Sequence, residues 1–306
     1  MAALKRPVHR EISRRPCAPR NGAFALRLIL PCALSIAPSL AACAPAHDHR
    51  PAEILRLGTD DDASPSDDRT MLRVLTWNVH GRAQAGEQAH LRRVAETLQK
   101  LEADVSMLQE VHRATPLSRG RDQLVELMEA TGNDACFART RSLGTGDYGL
   151  AVLSRLEIVE AESIVLPGRG EPRTVLRCRL RRPSGQVLDV YTLHLSAWGV
   201  LNARRRGRQL ARALEVIADG NTPIVGGDFN AGLDADELRA LADARLVPTL
   251  DSGVATYRGW GGQSYDHLLV SPQLEICSSH VERAGPSDHW PVLARLSLID
   301  HGDAND

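Results

Sequence analysis

Aromatic side chains are scarce in this chain: Phe, Tyr and Trp make up 4% of its 306 residues. That leaves no platform on which unpaired bases could stack, which argues against single-strand nucleic-acid binding of that kind. Lysine is nearly missing as well. Lys5 and Lys100 are its two occurrences, and the remaining positive charge is Arg. No apolar run suits a membrane span, because the stretch opening at Leu28-Ile29-Leu30 is interrupted by Pro31 and Pro38. Cysteine is sparse in the body, where Cys136, Cys178 and Cys277 have spacings that define no disulfide framework. Buried free thiols and a single disulfide stay equally open. What is present is ordinary globular material, 43% hydrophobic and 25% charged, long enough for one large core. The formal net charge of −1 hides an asymmetry. Residues 1–42 carry seven Lys or Arg and one acid (Glu11), so the rest of the chain is acidic. An acidic body argues against non-specific nucleic-acid binding, though a local basic groove remains compatible with it.

The amino-terminal 42 residues read as an export signal: a basic segment, an apolar stretch, and the small residues Leu40-Ala41-Ala42 before Cys43. Leu-Ala-Ala-Cys resembles a bacterial lipobox, which makes Cys43 the expected site of lipidation and the cell envelope the expected location, in the outer membrane or periplasm. Ala44-Pro45-Ala46 offers ordinary signal-peptidase cleavage instead, with release of a soluble protein. Ser13-Arg14-Arg15 hints at a twin-arginine signal, but Pro16-Cys17 continues it poorly. Residues 43–70, rich in Ala, Pro, Asp and Ser, read as a flexible tether. A single domain follows over 71–300, with 301–306 as a tail.

Within that domain strands and helices alternate. Strands are expected at Leu72–Trp77, Asp104–Leu108, Cys136–Arg139, Tyr148–Ser154, Ile158–Leu166, Arg173–Leu180, Val187–Leu195, Thr222–Val225, Tyr265–Val270, Leu274–Val281 and Trp290–Ile299. Helical spacing runs through Leu91, Val94, Leu98 and Leu101, near Gln123–Ala130, through Leu201–Ile217 and over Asp234–Ala242. Two mixed sheets packed face to face, with helices outside, would use these elements economically. The cluster Arg204-Arg205-Arg206-Gly207-Arg208, with Arg212 beyond it, reads as a solvated helix face.

Polar groups recur at or just beyond the ends of the apolar runs: Asn78, Glu110, His194, Asp228 with Asn230, Asp266, and Asp288 with His289. A buried strand has no reason to end repeatedly in such residues, whereas a shared pocket gives one. Glu110 offers hard carboxylate oxygens suited to Mg²⁺, and Asn78 could support it. In Gly226-Gly227-Asp228-Phe229-Asn230 the glycines permit close backbone approach. An extended backbone would set Asp228 and Asn230 on one side, with a Gly-Asp turn closed by an Asx bond as the equal alternative. Asp266 could hold the imidazole of His289 as a cation. His194 could donate a proton or hydrogen-bond a phosphate.

The ordered set resembles the endonuclease/exonuclease/phosphatase family, over roughly residues 71–299, in its Trp-Asn, Gln-Glu, Gly-Asp-x-Asn and Ser-Asp-His motifs. The resemblance implies a four-layered α/β sandwich with two central mixed β-sheets flanked by helices. It implies a divalent metal, Mg²⁺ with Mn²⁺ as an alternative, held by Glu110 with Asn78 and Asp288. Asp228 would align or deprotonate water, Asn230 would hold the phosphate, and His289 paired with Asp266 would stabilise the transition state. His194 would contact phosphate or act as acid. Arg173 would shape or charge the pocket. Three positions depart from the family pattern: His112 where Asp is common, Gly149-Leu150-Ala151 for a Gly-Asn-Ala-like run, and Ser264 for an Arg. They bear on substrate preference rather than on the catalytic set.

The expected activity is hydrolysis of phosphodiester or phosphomonoester bonds by a monomer, as in an endonuclease acting on nucleic acid. A phospholipid or inositol-phosphate head-group hydrolase of sphingomyelinase type is the alternative, favoured by the expected membrane anchor. A non-catalytic binding lipoprotein is the competitor from another class. Retention of Glu110, Asp228, Asn230, Asp288 and His289 together argues against it.

Overall fold

In the computed structural model, residues 49–57, 71–81, 87–197, 199–259 and 261–298 are described. The strands are β1 (His49–Pro51), β2 (Glu53–Leu55), β3 (Met71–Asn78), β4 (Val105–Arg113), β5 (Asp134–Leu143), β6 (Gly146–Ser154) and β7 (Glu157–Leu166). They continue with β8 (Arg173–Arg181), β9 (Val187–His194), β10 (Ile224–Asp228), β11 (Val247–Pro248), β12 (Asp266–Val270), β13 (Leu274–Val281) and β14 (Val292–Leu298). They form two mixed sheets of seven strands. One has the order β1-β7-β8-β9-β10-β12-β11, the other β13-β14-β3-β4-β6-β5-β2.

Three apolar layers hold the sheets and helices together. Between the sheets lie Val74, Val105, Met107, Cys136, Leu176, Val190, Ile224 and Leu296, all buried. Outside the second sheet, α1 (Glu87–Leu101) presents Leu91, Val94, Leu98 and Leu101 at helical spacing. It shares a cluster there with Leu124, Leu127 and Met128 of α2 (Gln123–Thr131). The α2 helix starts where Asp122 Oδ1 accepts the Leu124 and Val125 amides, and stops at Gly132, φ 71°. Outside the first sheet, α3 (Val200–Ile217) buries Leu210, Ala213 and Ile217 together with Leu238 and Leu241 of a 3₁₀ helix, Asp236–Asp243. The result is the four-layered α/β sandwich.

Several expectations need correction. Residues 49–55 are not tether: β1 pairs antiparallel with β7, and β2 with β5, each extending an edge whose backbone groups would otherwise lack partners. Residues 43–48 and 58–70 of the tether, the export signal, and the tail lie outside the described residues, Cys43 among them. The segment expected as a helix over Asp234–Ala242 is a 3₁₀ helix, and Ala235 at its start supplies no side-chain cap. Arg206 is not on a solvated face. It is buried, donates to Glu237 Oε1 through Nη2 at 2.5 Å, and so ties α3 to that 3₁₀ helix. Among the described residues no helix is long and apolar enough to cross a membrane.

The strand expected to end at Val225 runs on through both glycines to Asp228. A side chain would be crowded at both glycines, and at Gly227 it would meet backbone. A Cβ at Gly226 would lie 2.6 Å from Met107 Cε of the facing sheet, and one at Gly227 would lie 2.1 Å from the Leu193 carbonyl oxygen of β9. The register pairs Asp228 with His194 on one side and with Asp266 on the other. Three ends of the first sheet therefore meet at one level.

Candidate active site

The second sheet brings its own polar ends to the same place. Asn78 closes β3. Glu110 sits in β4 at an irregularity between Leu108 and Val111, with φ 62°. A non-glycine residue in that left-handed region is uncommon and costs strain. Here it accompanies the break in register and puts Glu110 in the cavity wall. Asn78 Nδ2 donates to Glu110 Oε1 at 3.2 Å and to Asp228 Oδ2 at 3.1 Å, so one amide links the two sheets. Beneath it Gln109 Nε2 donates to Thr192 Oγ1 of the other sheet at 2.9 Å.

Around Asp228 the remaining groups close in. Oδ1 accepts the Asn230 amide at 2.8 Å. Oδ2 lies 3.4 Å from His194 Nε2 and 3.8 Å from His289 Nε2. Asn230 is not extended. At φ 53° it leaves the strand in an Asx turn, its Nδ2 donating to the Leu195 carbonyl at 3.1 Å, and it still lines the cavity. The Ser287-Asp288-His289 segment is pinned to β3: Ser287 Oγ donates to the Asn78 carbonyl at 2.7 Å, and Trp77 Nε1 to the His289 carbonyl at 3.0 Å. His289 Nδ1 lies 2.8 Å from Asp266 Oδ2, both groups buried. The Asp266 backbone is held by Thr256 Oγ1, which accepts its amide at 2.9 Å. Arg173 is buried in the same wall. All the expected residues within the described chain thus surround one cavity of about 200 Å³. Asn78 and Asp266 stand behind the groups that face it.

The electrostatics separate these groups by role. Burial disfavours the His289 imidazolium, but the charges of Asp266 and Asp228 outweigh it and raise its pKa to about 10. Burial, helped by the Asp266 charge, raises the Asp228 carboxyl against the pull of His289 and Asn78. Burial, with the Arg173 and His289 cations, holds His194 well below the ordinary histidine range and therefore neutral. Burial would raise Asp288, but the His80 contact (Nδ1 to Oδ1, 3.3 Å) and the His289 charge bring it to about 2. Two carboxylates and two imidazoles thus reach neutral pH in different states.

Two groups of donors could hold a cation. Asp228, Asp266 and His289 have ligand atoms within 4.8 Å of one another. Their geometry is already satisfied by the imidazolium–carboxylate pair, and a metal there would compete with that charge. Glu110 fits better. Among the described residues Asn78 is the one hydrogen-bonding partner of its carboxylate, which lines the cavity together with Asp288. The carboxylate oxygens of Glu110 and Asp288 suit a hard divalent ion, while Asn78, expected as a ligand, turns its Nδ2 to Glu110 and accepts the His80 amide at Oδ1 (3.0 Å), so it orients Glu110 instead.

Spacing in the sequence missed other groups in this wall. His80 supports Asp288. Tyr257 sets its ring 4.8 Å from that of His289 and arrives from a loop through an isolated bridge to His289. Tyr148, Arg141 and Glu171 also line the cavity. Tyr148 had a visible signal, standing directly before the Gly149-Leu150-Ala151 run, and Glu171 opens the Glu171-Pro172-Arg173 run that holds the expected Arg173; Arg141 had none.

A two-sheet α/β sandwich with carboxylates, amides and imidazoles gathered at converging strand ends defines a hydrolase-type scaffold. The model of the endonuclease/exonuclease/phosphatase family matches residues 75–289, and the chain belongs to that family, whose members typically hydrolyse phosphoester bonds and generally use divalent metals. Among solved structures the fold is similar to an endonuclease/exonuclease/phosphatase from Beutenbergia cavernae (24% identity, 74% of this chain and 72% of that one, TM-score 0.64). It is also similar to the human Nocturnin catalytic domain with a bound sulfate anion (20%, 82% and 100%, 0.62). A third is the Bacteroides thetaiotaomicron mannosyl-6-phosphatase (18%, 74% and 100%, 0.59). No curated protein sequence matches the chain.

Proposed function

We propose that this protein is a divalent-metal-dependent phosphoester hydrolase that attacks its substrate in line with water. The observation that carries the reading is the position of Asp228 Oδ2, which lies 3.1 Å from Asn78 Nδ2, 3.4 Å from His194 Nε2 and 3.8 Å from His289 Nε2. Four chain segments far apart in sequence converge there on one small cavity, and Asn78 extends the cluster to Glu110. Glu110 and Asp288, with Asn78 orienting Glu110, would hold Mg²⁺ or Mn²⁺, which when bound would neutralise phosphoryl charge and help place the reacting groups.

The chain's own residues supply the rest. Asp228 aligns water and takes its proton as the new P–O bond forms; the ester P–O bond breaks with its electron pair going to the leaving oxygen, which takes a proton from solvent. The His289 imidazolium, fixed by Asp266, stabilises charge on the phosphoryl oxygens. His194, kept neutral, donates a hydrogen bond to phosphate rather than a proton to the leaving oxygen, and Asn230 holds the phosphate beside it. We extend the proposal to the amino terminus: export, with Cys43 as the lipid-bearing residue. Mass analysis of the mature amino terminus tests this.

Hydrolysis of bis(p-nitrophenyl) phosphate, assayed with Mg²⁺ or Mn²⁺ and with EDTA, tests the site. Activity should need the metal and be lost in Glu110→Ala and His289→Ala; full activity in both variants would remove this cavity from the chemistry. Plasmid DNA, RNA, sphingomyelin and inositol phosphates, offered to one preparation, decide among substrate classes.

A further inference from the structure

One wall of the cavity carries charge that the hydrolytic scheme leaves unused. Arg173 opens β8 with a guanidinium that is 4% exposed. Among the described residues it makes one side-chain hydrogen bond, from Nη2 to Glu171 Oε2 at 3.0 Å, and its Nε is sealed without a partner. Arg141 of β5 reaches the other oxygen of the same carboxylate, Nη2 to Oε1 at 3.2 Å. Its guanidinium also lies over the Tyr148 ring, 5.2 Å from the centroid. Both arginines and Glu171 line the cavity. Glu171 spans two guanidiniums with its two oxygens, as a bound phosphate or carboxylate would.

This arrangement is a poor device for stability alone. A buried guanidinium needs full compensation. Here it has a share in one carboxylate that is 35% exposed and screened by water. The trio keeps a net positive charge beside the cavity. Glu171 is also not built into a strand. It follows Gly168 and Gly170, whose φ values of 153° and 92° belong to the region that favours glycine, so the carboxylate stands on a loop between β7 and β8. A cationic pair thus faces a carboxylate carried on a glycine-containing segment.

We propose that Arg141 and Arg173 form a second-anion subsite beside the hydrolytic centre, and that Glu171 occupies it until a substrate's own anionic group displaces it. The preferred substrates are then phosphoesters carrying a second phosphate near the one cleaved. That phosphate is either the neighbouring one of a polynucleotide or the second one of a phosphorylated sugar or polyol. Placing the cleaved phosphate at Asp228 rests on the hydrolase reading; the anion site itself does not.

The test is calorimetric binding of ligand pairs in EDTA, where the proposed chemistry is silent. Thymidine 3′,5′-bisphosphate is compared with thymidine 5′-monophosphate, and inositol 1,4-bisphosphate with inositol 1-phosphate. In the wild type at least one bisphosphate should bind roughly tenfold tighter than its monophosphate, since charge-assisted hydrogen bonds are the strong ones. The pair that does so identifies the source of the anion. Arg141→Ala should bring that ratio close to one. Glu171→Gln, which removes the competing charge, should raise it several-fold. These opposite signs are the discriminating feature, because a purely structural ion pair weakens or ignores binding in both variants alike. A ratio near one in the wild type for both pairs overturns the subsite, as does a ratio that Arg141→Ala leaves intact or that Glu171→Gln lowers. Thermal melts of both variants separate misfolding from loss of the site. Loss of all metal-dependent hydrolysis with these ratios preserved would refute the hydrolase and keep the subsite; the reverse result would do the opposite.

Discussion

Replacing Asp266 by Asn removes one charge while keeping the shape of a buried side chain, and the consequence is calculable. His289 titrates at about 10 rather than near its ordinary 6.5. At about 1.4 kcal/mol per pH unit, the folded protein favours its imidazolium by roughly 5 kcal/mol. Three carboxylates contribute, Asp266 most, then Asp228 and Asp288, and burial works against them. If Asp266 supplies even a third of the attraction, its loss removes more than roughly 1.6 kcal/mol, and the midpoint of His289 falls by more than about one pH unit. Heteronuclear NMR of histidine-labelled, metal-free protein between pH 5 and 11 reads this directly, with the His289 resonance assigned from His289→Gln. A midpoint unchanged in Asp266→Asn, or raised by it, would refute the argument. The linked stability has a definite sign. A histidine whose folded pKa is raised stabilises fully below its unfolded value, near 6.5, and loses that contribution as pH rises through about 10. The melting-temperature gap between wild type and Asp266→Asn should therefore be widest near pH 6 and close towards pH 10. Metal-dependent hydrolysis should fall about 10²-fold or more, because the cation that faces phosphate is no longer held.

Glu110→Gln keeps the side chain's size and its bond to Asn78 while weakening a hard-ligand site; metal-dependent turnover should drop at least about a hundredfold with the melting temperature little changed, and isothermal titration should find weaker Mn²⁺ binding. Asp189, fully buried, accepts from Arg177 at 3.1 Å, Arg179 at 3.1 Å and the Asn221 amide at 2.7 Å. Burial alone would raise its pKa, but these partners lower it overall. Asp189→Asn should cost roughly 3 kcal/mol at pH 7, and the difference from wild type should shrink as pH falls below about 4, which calorimetry at pH 7 and pH 3 can check. Gly227→Ala forces a Cβ against the Leu193 carbonyl oxygen, so it should lower the melting temperature by several degrees and reduce activity further, since the displaced strand carries Asp228. In the native protein Cys277 should react with an alkylating reagent while Cys136 and Cys178 react after unfolding, as peptide mass mapping would detect.

The site was legible in the sequence because its parts obey a rule of contrast. Asn78, His194, Asp228 and Asp266 each terminate or begin a run of buried residues, where a charged or amide group has no other reason to stand. That contrast survives in one dimension. Groups placed by breaks in regular structure do not. The apolar run points to a strand ending at Leu108 with Glu110 just beyond it; the strand in fact continues to Arg113, and the direction of Glu110 comes from the irregularity after Leu108 and a left-handed backbone. Arg141 follows a register shift between Arg139 and Arg141 in β5, so counting alternate residues from the apolar Cys136–Ala138 stretch misplaces it. Tyr257 and Glu171 come from loops, where periodicity carries no information. Strands β1 and β2 were read as tether because three-residue segments containing Pro51 and Glu53 have no pattern of their own, and their sheet edges supply the reason to pair.

The same distinction explains why the family could be read and the substrate could not. Residues that would serve the shared chemistry sit at strand ends or, for Glu110, at a break within β4, pinned by both sheets: the Asn78 amide bridges Glu110 and Asp228, and the glycines before Asp228 leave little room for a side chain. Moving any one of them means moving a sheet. Residues that would distinguish one phosphoester from another, Arg141, Glu171, Tyr148 and Tyr257, occupy the opposite wall and the rim. Bulges and glycine-bearing loops position several of them, and these can change without disturbing either core. On the proposed reading, selectivity would belong to the part of the cavity shaped by bulges and loops, and substitutions there should alter which anion is preferred before they alter whether a phosphoester is cleaved at all.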